Sequence, residues 1–180
     1  MTAIKAKVKR KAKSTKSKIN PAKIIAEPGK QELFIVREFD APRELVFKTY
    51  VDPELLVQWL GPKEYSMIIE TYEPKFGGKW RFIDKDKDGN EFKFHGVVHE
   101  VLPPKRLIRT FEFDGLPESG HVSLEIAVFD EISDNRTKVT SQAVYLSVAD
   151  RDGMVQSGME RGVNEGFERL DALLKKLMSD

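Results

Sequence analysis

Residues 152–178 read DGMVQSGMERGVNEGFERLDALLKKLM, and this stretch decides the fold. Its apolar residues Met159, Val163, Phe167, Leu170, Leu174 and Leu177 recur in steps of four, four, three, four and three, which is the period of one helical stripe. Glu160, Arg161, Glu165, Glu168, Arg169, Lys175 and Lys176 take the other side. The spacing predicts one amphipathic helix of about 25 residues, ~37 Å long at ~1.5 Å per residue. Such a helix can cross a whole curved sheet. Gly158, Gly162 and Gly166 lie beside the stripe, and each costs ~1 kcal/mol of helix propensity relative to Ala. Two causes fit equally: the helix backbone approaches the sheet closely, or a cavity lies between them.

The chain before this helix supplies a sheet for it to cover. Strands are expected near 66–73, 78–84, 90–102, 106–113, 120–132 and 136–147. The breaks carry turn chemistry: Gly77-Gly78, Asp88-Gly89-Asn90, Pro103-Pro104, Asp114-Gly115 and Ser133-Asp134-Asn135. Short connections favour an antiparallel meander. Residues 31–39 (QELFIVREF) add an earlier strand. Two short helices follow it. Asp40 is expected to cap the first, with Pro42 in its first turn and Glu44 at the positive end of its dipole. Asp52 caps the second, Pro53 opens it, Leu55, Leu56 and Trp59 line one face, and Gly61-Pro62 stops it. The fold class is therefore α+β: a curved seven-stranded antiparallel sheet, two short helices and a long C-terminal helix across the apolar face.

Composition agrees with a globular domain, at 40% apolar and 33% charged residues. The absence of Cys removes disulfides, thiolate metal sites and a Cys nucleophile. Residues 1–20 hold eight Lys or Arg and no acid, whereas residues 21–180 hold 22 basic and 29 acidic residues. Residues 1–30 read as a basic flexible arm and 31–180 as the domain. Lys runs without aromatic interleaving are a weak nucleic-acid signal, so contact through residues 1–20 is a minor expectation beside a solubilising role. No apolar run reaches the length of a membrane span and no signal h-region follows the basic start, which predicts a cytoplasmic protein. Oligomeric state is not legible.

Aromatic residues fall on the strands at period two: Trp80 and Phe82, Phe92 and Phe94, Phe111 and Phe113. With Trp59, Tyr145, Met154, Met159, Val163 and Phe167 they either line an apolar pocket or fill the core, and for each residue taken singly core is the commoner role. Arg109 shares parity with Phe111 and Phe113, an anion anchor at a pocket mouth. Glu70 and Tyr145 are the other polar groups within reach.

Metal and catalytic patterns fail. His95 and His99 on a strand stand ~13 Å apart, too far to share a metal. Asp84-x-Asp86-x-Asp88-Gly89 lacks the Glu and the flanking helices of a calcium loop and reads as a hairpin tip. Gly77-Gly78-Lys79 lacks the rest of a phosphate loop. His121 begins a strand, and no G-x-S-x-G surrounds a serine, so no triad is assembled. No catalytic residue, metal ligand or cofactor is assigned.

One combination of motifs is specific. FIVREFDAPRELVF (34–47), VQWLGP (57–62), FGGKWRF (76–82) and FHGVVHEVLPPKRLIRTFEF (94–113) precede the Gly-rich C-terminal helix. Together they resemble the family of proteins similar to the C-terminal domain of the activator of the heat shock protein 90 ATPase, in the START-like, birch-pollen-allergen-like superfamily. The resemblance covers about residues 31–178. It implies a helix-grip fold with a cavity between sheet and helix, and a binding module for an apolar or amphipathic small molecule or lipid. A co-chaperone contact and a cyclase- or hydrolase-like activity are the alternatives it carries. The eukaryotic co-chaperone has a large N-terminal domain where 30 polar, basic residues stand here. The ligand-holding role is therefore the leading expectation. Trp59, Gly61, Pro62, Gly78, Trp80, Gly96, Pro103 and Pro104 carry the match as turns, caps and core.

Overall fold

The computed structural model describes residues 20–133 and 135–179. Its elements are β1 (Lys23–Ile25), β2 (Glu32–Phe39), α1 (Arg43–Val51), α2 (Pro53–Leu56), β3 (Ser66–Tyr72), β4 (Lys79–Lys85), β5 (Glu91–Leu102), β6 (Arg106–Phe113), β7 (Ser123–Ser133), β8 (Arg136–Tyr145), α3 (Val148–Gln156) and α4 (Met159–Leu177). One antiparallel sheet of eight strands runs β1-β2-β8-β7-β6-β5-β4-β3. This is the α+β helix-grip architecture, with one strand more than expected. The extra strand, β1, lies within residues 1–30 and pairs with Phe34–Val36 of β2. The Ala22 N–H, just before it, donates to Asn164 Oδ1 of α4 at 2.9 Å. Residues 1–19, on which the nucleic-acid expectation falls, lie outside the described residues.

Period two assigns the faces. Trp80, Phe82, Val98, Phe129, Val139, Leu33 and Phe39 turn inward beneath the helices. His95 turns outward, among Asp114, Glu112 and Arg81. α4 lays Phe167, Leu170, Leu173 and Leu174 on the inner face, its stripe falling as the spacing predicts. Phe167 meets Phe39 edge-on at 5.4 Å and stacks on Trp59 at 6.2 Å.

Three sequence expectations are corrected. The C-terminal helix is two helices, because Gly158 takes a φ of 82° and turns the chain between α3 and α4. Gly162 and Gly166 face neither the sheet nor a void. A side chain at Gly162 would touch Pro62 at 3.4 Å, and one at Gly166 would press on the Trp59 carbonyl at 3.0 Å. The helix packs closely on the turn after α2, where Arg169 donates to the carbonyls of Trp59, Leu60 and Gly61. Asp40 does not cap α1, whose N-cap residue is Pro42. It accepts from Arg136 Nε at 3.1 Å instead. Asp52 does cap α2, accepting from the Glu54 N–H at 3.0 Å.

The break at Gly158 gives a paired prediction. Gly158→Ala forces an L side chain into the left-handed region and lowers stability by about 1 kcal/mol. Gly153, inside α3 with nothing within 4 Å of a new Cβ, gains up to ~1 kcal/mol as Ala. Thermal unfolding of the two variants checks the opposite signs.

Candidate functional site

Register places charge inside the grip. Arg109 of β6 and Glu125 of β7 are direct cross-strand partners on the inner face. Arg109 Nε donates to Glu125 Oε2 at 2.8 Å, and the guanidinium lies 4.7 Å over the Trp80 ring. Trp80 is itself fixed by its indole N–H, which donates to the Thr110 carbonyl at 3.1 Å. Burial works against the Arg109 charge, but Glu125 and the phenols of Tyr72 and Tyr50 hold it protonated. The Tyr50 hydroxyl is buried and makes no hydrogen bond. Burial pushes this phenol up, with Arg109 and Arg37 opposing. The Tyr72 hydroxyl donates to the Tyr50 carbonyl at 2.7 Å, and burial raises its phenol too.

A second polar group lies further along the same face. Tyr145 of β8 is buried opposite Ser123 of β7. Burial and then Glu125 push its phenol up, and Arg151 of α3 opposes them. At the rim, Asp150 Oδ1 meets His121 Nδ1 at 2.7 Å and Asp150 Oδ2 accepts from the Ser147 hydroxyl at 2.7 Å. The carboxylate stands between hydroxyl and imidazole, so His121 pairs with Asp150 and not with the Ser147 hydroxyl. Its oxygen accepts from the Asp150 N–H at 3.0 Å and caps α3.

The expected site residues divide. Trp59, Trp80, Phe82, Tyr145 and Phe167 are buried, whereas Phe94, Arg109, Phe111, Phe113, Met159 and Val163 are half-buried. Trp80, Phe82, Phe94, Phe111 and Phe113 form one ladder. Ring centroids lie 4.7 Å apart for Trp80–Phe82, 6.0 Å for Trp80–Phe111, 5.5 Å for Phe94–Phe111 and 5.2 Å for Phe94–Phe113. Trp59 and Phe167 belong to the neighbouring cluster around Tyr50, Phe47 and Phe129, which fills the space under α1, α2 and α4. Glu70 is not part of the inner face. It is exposed and pairs with Arg81 Nε at 2.9 Å.

Two surface clefts, of about 70 and 180 Å³, are lined by other residues. The first lies around Arg37, Asp40, Asp171 and Lys175. The second lies around Ile25, Lys30, Glu32 and Phe34.

Sequence reasoning missed Glu125, Ser123, Arg151, Tyr50 and Tyr72. The first two carried a signal, because Ser123, Glu125 and Phe129 share parity on β7.

Among the described residues, no group of three or more metal-ligating side chains comes together, and no helix is long and apolar enough to cross a membrane. A family model described as Activator of Hsp90 ATPase homolog 1-like protein matches residues 40–175. Among solved structures, a protein from Arthrobacter aurescens is 26% identical with a TM-score of 0.77, covering 86% of this chain and 91% of its own. A protein from Rhodobacter sphaeroides is 25% identical with a TM-score of 0.78, covering 87% of this chain and 99% of its own. A Silicibacter pomeroyi protein titled AHSA1 shares the fold at 22% identity and a TM-score of 0.67, covering 80% and 97%. No curated protein matches the sequence.

Proposed function

Because the chain belongs to the Activator of Hsp90 ATPase homolog 1-like family, we propose that it is a small-molecule-binding module. It holds an amphipathic ligand on the half-buried part of its aromatic ladder. One observation carries this reading: the Arg109–Glu125 pair stands on the inner face against Trp80. Placing two charges on a half-buried face carries a desolvation cost, and a purely structural core does as well with apolar side chains there. A polar contact set beside an apolar floor is how pockets orient amphipathic ligands. Phe94, Phe111, Phe113, Val163 and Met159 supply the floor, at ~25 cal/mol per Å² buried before binding costs are subtracted.

Binding is favoured over catalysis by protonation. Arg109 stays a cation and the Tyr145 phenol stays neutral at physiological pH, so neither serves as a general base.

Native mass spectrometry of the protein from its own cells tests the reading. The expected result is an adduct of roughly a few hundred daltons, released on unfolding and lost from Arg109→Leu. A folded protein of bare polypeptide mass that also takes up no added amphiphile overturns it.

A further inference from the structure

We propose that the end of the inner face where α3 crosses β8 is an anion-binding subsite formed by Arg151, Ser123 and Tyr145. It receives a monoanionic head group, a carboxylate or sulfonate, on a ligand whose body lies along the aromatic ladder. This rests on the binding reading above and names the ligand class for it.

Burial and charge placement carry the inference. Arg151 and Ser123 are each only 2% exposed. Arg151 Nε is ion-paired at 2.9 Å with Asp152 Oδ1 in a geometry that makes no hydrogen bond, and among the described residues the Ser123 hydroxyl has no hydrogen-bond partner. Among the described residues the one carboxylate against Arg151 is that of its chain neighbour Asp152, whose side chain is 47% exposed. The interior carboxylate, Glu125, is committed to Arg109. With Asp152 counted the four charges balance, but on the interior side Arg109 and Arg151 face a single carboxylate, Glu125. A buried guanidinium without a full set of acceptors costs several kcal/mol, which an anion repays through charge-assisted hydrogen bonds.

Position agrees. Ser123 is the cross-strand partner of both Tyr145 on β8 and Phe111 on β6. The ladder, which includes Phe111, thus runs directly into the subsite. The Tyr145 phenol, which feels the Arg151 charge, and the Ser123 hydroxyl across the strand pair from it add two neutral donors. Arg151 lies on the first turn of α3, held at its N-terminus by the Ser147 cap and the His121–Asp150 contact.

The test uses two dyes that differ by one sulfonate: anilinonaphthalene sulfonate and its uncharged parent, N-phenylnaphthylamine. Fluorescence titration of the full chain is expected to find both bound. Arg151→Met should weaken the sulfonate about ten-fold and leave the parent within about two-fold. Arg151→Lys should keep part of the preference. If the parent binds but Arg151→Met leaves the ratio of the two affinities unchanged, the subsite is wrong and the binding module stands. If neither dye binds the folded protein, both fall.

Discussion

Replacing Gly96 with alanine is expected to unfold the domain, or to cost it more than about 3 kcal/mol. Gly96 lies in the middle of β5, opposite Trp80 on β4. A Cβ there would collide with the Thr110 carbonyl oxygen and stand 2.6 Å from Trp80 Nε1. These two atoms form the hydrogen bond that fixes the Trp80 ring. The methyl group therefore cannot be accommodated by a rotamer change. It must push β6 away, or turn the indole and leave a buried N–H unpaired. Either route also displaces Arg109, stacked on that ring. The check is urea unfolding beside Gly89→Ala, at a hairpin tip with only the Lys85 side chain near, where the φ of 88° by itself costs about 1 kcal/mol. A comparable loss in both would mean that the contact at Gly96 yields and that Trp80 is not held as described.

That glycine illustrates how much of the fold is readable. Period-two aromatics and turn residues place six of the strands because each signal is local. Helix period places the stripe of α4 equally well. What escapes is non-local. β1 is three residues long, too short for a period, and exists because β2 offers an edge to pair with. The break at Gly158 is invisible to a stripe count, since glycine fits both a costly helix position and a left-handed turn. At the site, Arg109 was legible by parity with Phe111. Tyr50 and Arg151 were not, because α1 and α3 owe their orientation to packing on the sheet. Glu70 was nominated only as a polar group within reach of a pocket, and it sits outward at the point where β3 shifts register on β4 between Ile69 and Thr71.

Asp84→Asn is expected to stabilise the protein at pH 7.5 by about 1–2 kcal/mol and to give no such gain at pH 4. Asp84 was read as part of a polar hairpin tip, where Asp86 and Asp88 lie but Asp84 does not. Asp86 accepts from the N–H groups of Asp88 and Asn90, each at 2.9 Å. Asp84 turns inward on the face of Trp80 and Phe82 and is buried against Gly61, with Oδ1 unpaired. Burial pushes its carboxyl up to about 6, and the positive charge of Arg169 pulls it back only in part. An unfolded chain loses this proton near pH ~3.9. Between about pH 4 and 6 the folded state therefore holds a proton that the unfolded state has released. Its contribution is fully present below pH 4, declines as pH rises through 6, and is gone above. Two pKa units correspond to at most ~3 kcal/mol, reduced here by residual solvent access. Asp86, Glu100, Asp114 and Asp150 have the opposite sign, their carboxyls held low by hydrogen bonds and ion pairs despite opposing burial, so they lose stability as pH falls. Both proteins share these groups, and the difference between the two unfolding curves isolates Asp84. An equal difference at pH 4 and pH 7.5 would show that its proton does not govern the packing of the Gly61 turn. A difference that opens only above pH 5 would assign that part of the pH dependence to the Asp84 carboxyl.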